Sequence, residues 1–299
     1  MDKKVYIILL NYNGWKDTVE CVKSLAVIKG TDTHIVVVDN CSTDDSVERL
    51  KTELADEVTL LLADENNGFS AGNNIGIRYA LKNQADYVLL LNNDTVTDQD
   101  FLTPLVEFAS RTPDCGCISS RIYYYYDKNK IWFDGGAFHP YNCRAEHYRF
   151  DEDGSTVTGI HEATFISGCC MLIPATVIRK IGLMDERYFL YVEDTEYSLR
   201  IQKVGYKLYW DADHHFYHKV SASTGNKSKL SQYYEIRNRL LLSKDYLLAR
   251  DRFSMHLYNI IFYAYKLATK KYDLKTLQRA LSDFNKGTFG KQYEKGSVC

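Results

Sequence analysis

Short apolar runs alternate with segments of helical spacing along the first hundred residues. The runs at 35–38 and 87–91 are apolar at every position, which is typical of strands that helices cover on both faces. Because such alternation indicates βαβ units, we expect an α/β fold with a mostly parallel central sheet. The pattern predicts strands at residues 5–10, 34–39, 58–62 and 86–92, and helices at residues 15–28, 43–54 (capped by Ser42 or Thr43), 70–82 and 98–110.

The pattern changes after residue 110. Aromatic and glycine-containing segments between residues 115 and 165 predict short strands and loops, helical spacing returns at 174–181 and 195–203, and helices are expected from His218 to about residue 283. We therefore predict a main domain at residues 1–220 and a helical C-terminal region at residues 221–299.

The charge distribution divides the chain near the same point. The formal net charge is −2, but residues 1–218 contain 21 Lys and Arg against 33 Asp and Glu, whereas residues 219–299 contain 16 against 6. A basic tail behind an acidic body implies a polyanionic partner, for which anionic lipid, nucleic acid and diphosphate substrates qualify. The tail contains no known nucleic-acid-binding motif, so we expect no nucleic-acid partner.

The apolar segment 253–268 in this tail is predicted to lie on a membrane surface. With His256 and Lys266 inside it, the segment is too short and too polar to span a bilayer of about 30 Å, whereas it suits an amphipathic surface helix. Packing against the main domain, or pairing in a homodimer, is the alternative.

The start of the chain and its cysteines predict a cellular location. No apolar segment followed by a small-residue cleavage site begins the sequence, and the eight cysteines lack a Cys-x-x-Cys spacing. We therefore expect reduced thiols and a cytoplasmic protein, located at the inner face of the cell membrane.

Polar residues directly follow two of the predicted strands. Asp39 ends one apolar run, and Asn92, Asn93 and Asp94 end another. In parallel sheets ligands bind outside the carboxyl ends of the strands, so we expect a nucleotide and its metal ion there; helix N-caps are the alternative. Carboxylate and amide oxygens suit Mg²⁺ or Mn²⁺. His218 is the best second protein ligand, unless it is a hydrogen-bonded core histidine.

Two loops rich in small and polar residues are candidate binding segments. Residues 11–14 predict either a nucleotide-contacting loop or an Asx-type turn. Residues 65–76 contain glycines and asparagines that would allow a ligand close to the backbone, with an anion at the following helix N-terminus. The spacing is not Gly-x-Gly-x-x-Gly and no Walker A lysine follows, which excludes a Rossmann or P-loop interpretation.

Three carboxylates, Glu193, Asp194 and Glu196, follow an aromatic run. A carboxylate that accepts the proton of an attacking hydroxyl contributes about 10²–10⁴-fold to a rate, and each of the three has suitable chemistry. If a helix begins near Asp194, one of them serves instead as a charge at the helix start.

Together these motifs resemble the family 2 glycosyltransferases, which have a GT-A fold, and more narrowly their rhamnosyltransferase-like branch. The resemblance covers about residues 5–245, and the order and spacing of its segments make it specific. The segments are 8–13 (ILLNYN), 37–44 (VVDNCSTD), 67–74 (NGFSAGNN), 91–94 (LNND), 166–172 (ISGCCML), 182–186 (GLMDE), 193–194 (ED) and 237–239 (RNR).

The resemblance implies roles for individual residues. Asp39 would hydrogen-bond the nucleotide base, and Asp194 would be the general base of an inverting displacement. Residues 92–94 are similar to the family's metal-binding Asp-x-Asp, with Asn in place of the first Asp, which moves the metal-binding role to Asp94. The expected nucleotide-sugar-binding residues are Asn11, Asn13, Asp39, Asn67, Gly68, Asn73, Asn93 and Arg237, and the expected metal ligands are Asp94 and His218.

The resemblance also implies a reaction. We expect a metal-dependent inverting enzyme that moves L-rhamnose from dTDP-rhamnose to a hydroxyl of a glycan in bacterial surface polysaccharide synthesis. The resemblance implies an acceptor linked to undecaprenyl diphosphate. A UDP-hexose or UDP-N-acetylhexosamine donor is the alternative within the fold, and a non-catalytic nucleotide-sugar-binding protein is the alternative of another class. Residues 1–97 would form the nucleotide-binding half of the catalytic domain, and residues 98–220 its acceptor-side half.

Overall fold

The computed structural model describes residues 3–220 and 228–292 of the chain. The strands are β1 Lys4–Asn11, β2 Asp32–Asp39, β3 Thr59–Leu62, β4 Tyr87–Asn92, β5 Thr95–Val96, β6 Cys115–Tyr124, β7 Ile131–Phe133, β8 Gly136–His139, β9 Arg144–His147, β10 Ile160–Ala163, β11 Cys170–Pro174 and β12 Lys207–His218. The helices are α1 Trp15–Ser24, α2 Ser46–Leu54, α3 Gly68–Lys82, α4 Leu102–Arg111, α5 Ala175–Ile181, α6 Glu193–Lys203, α7 Lys229–Tyr246, α8 Ala249–Ala268 and α9 Leu274–Lys286.

One large sheet is parallel in the half formed by the first strands of the chain and mixed in the other half. Its strand order is β10-β12-β6-β11-β4-β1-β2-β3, and the neighbours β4, β1, β2 and β3 run parallel. β11 lies antiparallel between β4 and β6, whereas β6 and β12 are parallel again. β8 and β9 form a separate ribbon. The predicted α/β class is confirmed, and each strand and helix predicted for the first hundred residues is present.

The central strands are apolar on both faces because both faces are buried. Ile7, Ile8 and Leu9 of β1 have no exposed surface, and neither do Leu89 and Leu90 of β4. Burying such a side chain contributes roughly 1.5–3 kcal/mol relative to leaving it exposed. The core therefore lies along the strands that carry the functional candidates at their ends.

The carboxyl ends of β1, β2 and β4 lie side by side. In the strand pairings Asn11 is opposite Asp39, and Leu10 is opposite Asn92. The last residue of each strand is therefore polar and reaches the same edge of the sheet, as the apolar runs had predicted.

Two helix starts differ from the prediction by three residues or more. The helix predicted from residue 43 begins at Ser46, because the Ser42 hydroxyl donates to the Asp39 carboxylate instead of capping a helix. The helix predicted from residue 98 begins at Leu102. In both cases side chains before the helix stabilise a turn. Before α4, Asp100 accepts hydrogen bonds from the N–H and hydroxyl groups of Thr103.

The C-terminal helices α7, α8 and α9 form a second hydrophobic cluster that contacts the main sheet domain. The ring of Tyr234 on α7 stacks on Phe189 with centroids 5.0 Å apart, and Leu190, Tyr191 and Val192 pack on the same cluster. The loop before α6 is thus enclosed between the sheet domain and α7. No helix within residues 3–220 and 228–292 is both long and apolar enough to cross a membrane.

Candidate active site

The ends of β4 and β12 bring an aspartate and a histidine together. β5 follows shortly after β4 and pairs antiparallel with the end of β12, so that His218 lies opposite Thr95. His218 Nε2 is 3.0 Å from Asp94 Oδ1, and the Lys219 N–H donates to the Asp94 carbonyl at 2.9 Å. The two side chains predicted to share a metal ion therefore meet, although 124 residues separate them in sequence.

The Asp94–His218 pair offers one oxygen and one nitrogen ligand. Within the part of the chain that the structure describes, no group of three or more His, Cys, Asp or Glu side chains is placed to hold a metal ion. His218 Nδ1 is buried and has no hydrogen-bond partner among the described residues, within which the Asp94 carboxylate alone orients the ring through a hydrogen bond. Hard divalent cations retain water and phosphate oxygens as ligands, so the pair fits Mn²⁺ or Mg²⁺ that a bound diphosphate helps to hold.

Asp194 lies beside the same strand end. Its Oδ2 accepts from the Gly168 N–H at 2.9 Å, and its Oδ1 accepts from the Thr195 N–H at 2.7 Å. The carbonyl of Cys169, one residue after Gly168, accepts from the N–H of Asn92 at 2.9 Å, which links this contact to the last residue of β4. Burial raises the pKa of Asp194, and the two N–H donors oppose that rise. The carboxylate is consequently a stronger base than that of an exposed aspartate.

Asp194 is the acid of the three that remains available as a base. Glu196 is buried, forms an ion pair with Arg200 and accepts from the Tyr246 hydroxyl. Glu193 is also buried, and its Oε2 has no hydrogen-bond partner in the part of the chain that the structure describes. Burial together with the charge of Asp194 raises the pKa of Glu193 well above its ordinary value. Because burial and the charge of Asp194 favour the protonated form of Glu193, Asp194 is the better candidate for the base.

The loop before Asp194 has a constrained backbone. Tyr191 and Val192 have φ values of 67° and 75°, a region that β-branched residues rarely adopt. Such conformations cost about 1–3 kcal/mol each and persist where surrounding contacts impose them. Asn238 of α7 supplies such contacts, since its Nδ2 donates to the carbonyls of Leu190 at 2.9 Å and Tyr191 at 2.8 Å. α7 therefore holds the loop that presents Asp194.

Replacing Asn238 by Asp should lower kcat about 10- to 100-fold and leave the donor KM nearly unchanged. The side chain still accepts from Arg237, but two buried carbonyls lose their donor and face a carboxylate, so the loop no longer fixes Asp194. Steady-state kinetics and thermal melting check this. Asn259→Asp is the matched control, because buried Asn259 accepts from Arg239 in the same cluster. Equal losses of kcat in both variants would contradict a positioning role.

Asp39 joins the loops at the ends of β1 and β2. Its Oδ2 accepts from Asn11 Nδ2 and from Ser42 Oγ, both at 2.7 Å, and its Oδ1 accepts from the Ser42 N–H at 2.8 Å. Asn11 is fully buried, and its Oδ1 accepts from Thr18 Oγ1 at 2.9 Å, so its amide is used within the protein. A carboxylate has about four lone-pair sites, so Asp39 retains acceptor capacity while Asn11 orients it.

Three more of the predicted binding residues lie nearer to solvent. Asn13 is exposed, with φ of 53°, and its Oδ1 accepts from the Thr43 N–H at 2.8 Å. Asn93 is half-buried and donates to Thr18 Oγ1 at 2.8 Å. Asn67 is exposed and lines an open cleft of about 210 Å³. The other residues of this cleft include Asn40, Glu65, Ala71, Gly72, Arg78 and Glu186.

The glycines of residues 65–76 are required by packing within the protein, and Gly72 also lines the open cleft, so the expectation that this segment admits a ligand stays a prediction. Gly68 has φ of 91°, and a Cβ there would lie 2.0 Å from the Phe189 carbonyl oxygen. A Cβ at Gly72 would lie 2.4 Å from Leu10 Cδ1. Asn73 is buried and donates to the carbonyl four residues before it at 2.9 Å. α3 therefore packs closely on β1 and on the loop at Phe189, and Gly68 and Gly72 leave room for that contact.

The site thus contains polar strand ends, an Asp94–His218 pair and a hydrogen-bonded Asp194. Comparison with known families identifies the kind of chain that carries it. The sequence pattern of glycosyl transferase family 2 matches residues 6–182, which is more than half of the chain. The chain belongs to this family.

Curated relatives of this glycosyltransferase are distant. It is 24% identical over 257 residues to the dTDP-rhamnosyl transferase RfbF of Shigella flexneri, covering 81% of this chain and 80% of the relative. It is 27% identical over 248 residues to the low-salt glycan biosynthesis hexosyltransferase Agl10 of Haloferax volcanii, covering 79% and 74%. It is 23% identical over 242 residues to an N-acetylglucosaminyl-diphospho-decaprenol L-rhamnosyltransferase of Mycobacterium tuberculosis, covering 73% and 77%.

A solved structure confirms the GT-A fold of the glycosyltransferase. The crystal structure of GalNAc-T7 with UDP, GalNAc and Mn²⁺ superposes with a TM-score of 0.68 at 16% identity. The match covers 95% of this chain, which spans 55% of that structure's length. At this identity the likeness establishes the arrangement of the backbone alone and gives no information on the chemistry of the side chains.

Arg237 of the glycosyltransferase lies in the C-terminal cluster, which corrects the expectation that it contacts the nucleotide sugar. Its side chain is fully buried and donates to the carbonyls of Gly290 at 2.9 Å and Arg187 at 3.3 Å. The ring of Tyr234 lies 4.9 Å from its guanidinium carbon. A guanidinium already bonded to protein carbonyls in a closed environment stabilises this cluster and has no access to a diphosphate.

Two residues with functional contacts are not among the site residues predicted from the sequence. Gly168 donates its N–H to Asp194, and Asn238 fixes the loop before it. Both lie inside segments that carry the family resemblance, at 166–172 and 237–239, so a signal was present. The sequence did not show that either segment reaches Asp194.

Proposed function

We propose that this chain is an inverting glycosyltransferase that moves L-rhamnose from dTDP-L-rhamnose to a hydroxyl of a lipid-linked glycan at the inner face of a cell membrane. The convergence of Asp94, His218 and Asp194 at the carboxyl end of β4 carries the proposal. The first two residues would hold a cation with the donor diphosphate, and the third would activate the acceptor. These are the two requirements of a direct displacement at a sugar carbon.

Asp94 and His218 would hold Mn²⁺ or Mg²⁺ together with diphosphate oxygens. When bound, the cation would neutralise charge on the leaving diphosphate, an effect worth several kcal/mol. The Mn²⁺ in the structurally similar GalNAc-T7 complex supports a metal in this fold. Because Asn92 replaces an acid of the family pattern, Asp94 is the carboxylate of the triplet, and cation binding is expected to depend on the donor.

Asp194 would act on the acceptor in a single displacement. The acceptor hydroxyl oxygen attacks the anomeric carbon as the bond from that carbon to the diphosphate oxygen breaks. Asp194 takes the hydroxyl proton, the nucleoside diphosphate leaves with the bonding electron pair, and the configuration at the anomeric carbon inverts. Burial supports this role, since it raises the pKa of Asp194 toward the range in which a general base works well.

The nucleotide would lie across the ends of β1 and β2. Asp39 retains acceptor capacity for an N–H of the base, and its position is fixed by Asn11 and Ser42. Asn13, Asn67 and Asn93 are the outer residues proposed to contact the nucleotide sugar.

The names of the relatives favour rhamnose and a lipid-linked acceptor. Two of the three curated relatives are named as rhamnosyltransferases, and the decaprenol-linked substrate in one name supports a lipid diphosphate acceptor. The hexosyltransferase name of the third supports the alternative, a UDP-hexose or UDP-N-acetylhexosamine donor. A non-catalytic nucleotide-sugar-binding protein is disfavoured, because it would not require a buried base beside the cation ligands.

We expect incubation with dTDP-L-rhamnose and Mn²⁺ to release dTDP slowly, several-fold faster than UDP is released from UDP-glucose or UDP-N-acetylglucosamine. Release occurs because water replaces the acceptor at a low rate. The assay quantifies free nucleoside diphosphate, with EDTA and the Asp194→Asn variant as controls. Faster release from a UDP-sugar would favour the alternative donor. Thermal stabilisation by nucleotide sugars without any release, with or without a glycan acceptor, would favour the non-catalytic class.

A further inference from the structure

α8 is apolar on two opposite sides. Its inner side, with Met255, Asn259 and Tyr263, is buried in the C-terminal cluster. The large hydrophobic residues on its outer side are between 53% and 73% exposed. This outer α8 face consists of Phe253, Leu257, Ile260, Ile261, Ala264 and Tyr265.

The outer α8 face is a continuous stripe. Its residues recur at intervals of three and four, the spacing that places side chains on one side of an α-helix. A helix of 20 residues is about 30 Å long, so the stripe is far longer than a single exposed side chain. Contiguous exposed apolar surface of this kind marks an interaction site.

Cations lie at both ends of the stripe. Arg250 and Arg252 precede it, Lys270 and Lys271 follow it, and all four residues are exposed. Residues 249–275 contain six Lys and Arg against two Asp and Glu, whereas residues 1–218 contain 21 against 33. An anionic surface would therefore attract the C-terminal helices and repel residues 1–218, which orients the protein with α8 toward that surface.

The same charges disfavour a second copy of the chain as the occupant. In a symmetric dimer the same face meets itself, so the cations at the two ends of α8 would approach cations of the partner in either helix direction. Asp251 is the acidic residue of α8 itself, and it pairs with Arg250 at 3.6 Å. Anionic lipid headgroups would instead compensate both basic ends at once.

We propose that the outer α8 face binds a membrane surface that contains anionic phospholipid. α8 lies along the surface, its apolar side chains enter the boundary between headgroups and acyl chains, and the four terminal cations contact lipid phosphates. This inference deepens the proposed function, which places the enzyme at the inner face of a cell membrane, by naming the helix face and the lipid charge that hold it there. It also accounts for access to a lipid-linked acceptor, a feature that rests on the proposed function.

Vesicle sedimentation of the full chain tests the proposal. We expect wild-type protein to bind vesicles of 30% phosphatidylglycerol and 70% phosphatidylcholine, and to bind pure phosphatidylcholine vesicles at least about 10-fold more weakly, since each cation near an anionic surface contributes about five-fold. Raising the salt concentration to about 0.5 M should reduce binding to the anionic vesicles. Equal binding to the two vesicle types, or none to either, would overturn the proposal.

The double variant Leu257→Glu, Ile261→Glu should weaken binding to the anionic vesicles at least about 10-fold, because two carboxylates replace apolar groups at the centre of the stripe. Val27→Glu, Val204→Glu is the matched control, since both residues are exposed on the sheet domain and the charge change is the same. The control should bind as wild type does. Both variants should release nucleoside diphosphate at the wild-type rate, so failure of the membrane proposal is distinguishable from failure of the proposed function.

Light scattering coupled to size-exclusion chromatography tests the other candidate occupant of the outer α8 face, a second copy of the chain. A monomeric wild type that binds anionic vesicles supports the lipid assignment. A wild-type dimer that the Leu257→Glu, Ile261→Glu variant dissociates, with vesicle binding unchanged, would assign the outer α8 face to a second copy and overturn the proposal.

Discussion

Replacing Asp194 by Asn should lower turnover about 10²–10⁴-fold while nucleoside diphosphate binding stays as in the wild type. The amide preserves the size of the side chain, and its one oxygen can still accept from either the Gly168 or the Thr195 N–H group, which bond different oxygens of the carboxylate. It cannot accept the proton of an acceptor hydroxyl. Turnover is measured with donor and glycan acceptor, and binding by calorimetry.

Glu193→Gln is the matched control for this prediction. Burial and the charge of Asp194 raise the pKa of Glu193 well above its ordinary value, which favours the protonated form that glutamine resembles. We expect this variant to retain most of its turnover. Near-normal turnover in Asp194→Asn, or an equally deep loss in Glu193→Gln, would move the base to another residue.

The pH profile provides a separate check on Asp194. The base acts in its ionised form, so kcat/KM should fall as the pH drops through the raised pKa of Asp194. The acidic limb should therefore lie above about pH 4, the usual range of an aspartate side chain. In Asp194→Asn the residual activity should lose this limb, whereas in Glu193→Gln it should persist.

The residues at strand ends could be predicted because the signal is local. An apolar run followed by Asp39, or by the triplet ending in Asp94, indicates where a buried strand reaches the edge of its sheet, and the register confirms that these ends adjoin. The pairing of His218 with Asp94 was predicted from ligand chemistry and from the family resemblance, and no local pattern shows how the two residues meet. β5, which aligns them, has two residues, too few for any hydrophobic period to reveal.

Other features depended on partners that the sequence did not identify. Gly68 and Gly72 are needed where α3 packs on the protein itself, yet a ligand approaching the backbone selects the same residue type. Arg237 and Asn238 are adjacent in sequence but point to different carbonyls, and their roles follow from the packing of α7. Ser42 donates to Asp39 where a helix cap was expected, because both roles use the same hydroxyl.

These cases separate two kinds of information. Which residues reach the sheet edge follows from hydrophobic pattern, since burial acts on every residue of a strand. Which groups a polar side chain bonds depends on elements that are distant in sequence, as with α7 and the loop before Asp194. The C-terminal helices, expected as an appendage, are for this reason the part of the site that the sequence described least.

Replacing Asp94 by Asn should abolish the metal dependence of donor binding and lower kcat/KM at least about 100-fold. Asn keeps an oxygen near His218 Nε2 but removes the negative charge that a divalent cation requires, and the effect of such a cation on a leaving diphosphate is worth several kcal/mol. Calorimetric titration with dTDP, in the presence of Mn²⁺ or of EDTA, measures the affinity for the nucleotide without any turnover.

Two further variants distinguish loss of the bound cation from loss of a negative charge alone. Asp56→Asn, an exposed aspartate between α2 and β3, changes the net charge equally and should leave the Mn²⁺ effect intact. His218→Gln should weaken the Mn²⁺ effect less than Asp94→Asn, because a neutral ligand contributes less to a hard cation than an anionic one. If wild-type affinity for dTDP is the same in Mn²⁺ and in EDTA, the pair is structural. Its 3.0 Å contact would then serve only to join β12 to the end of β4.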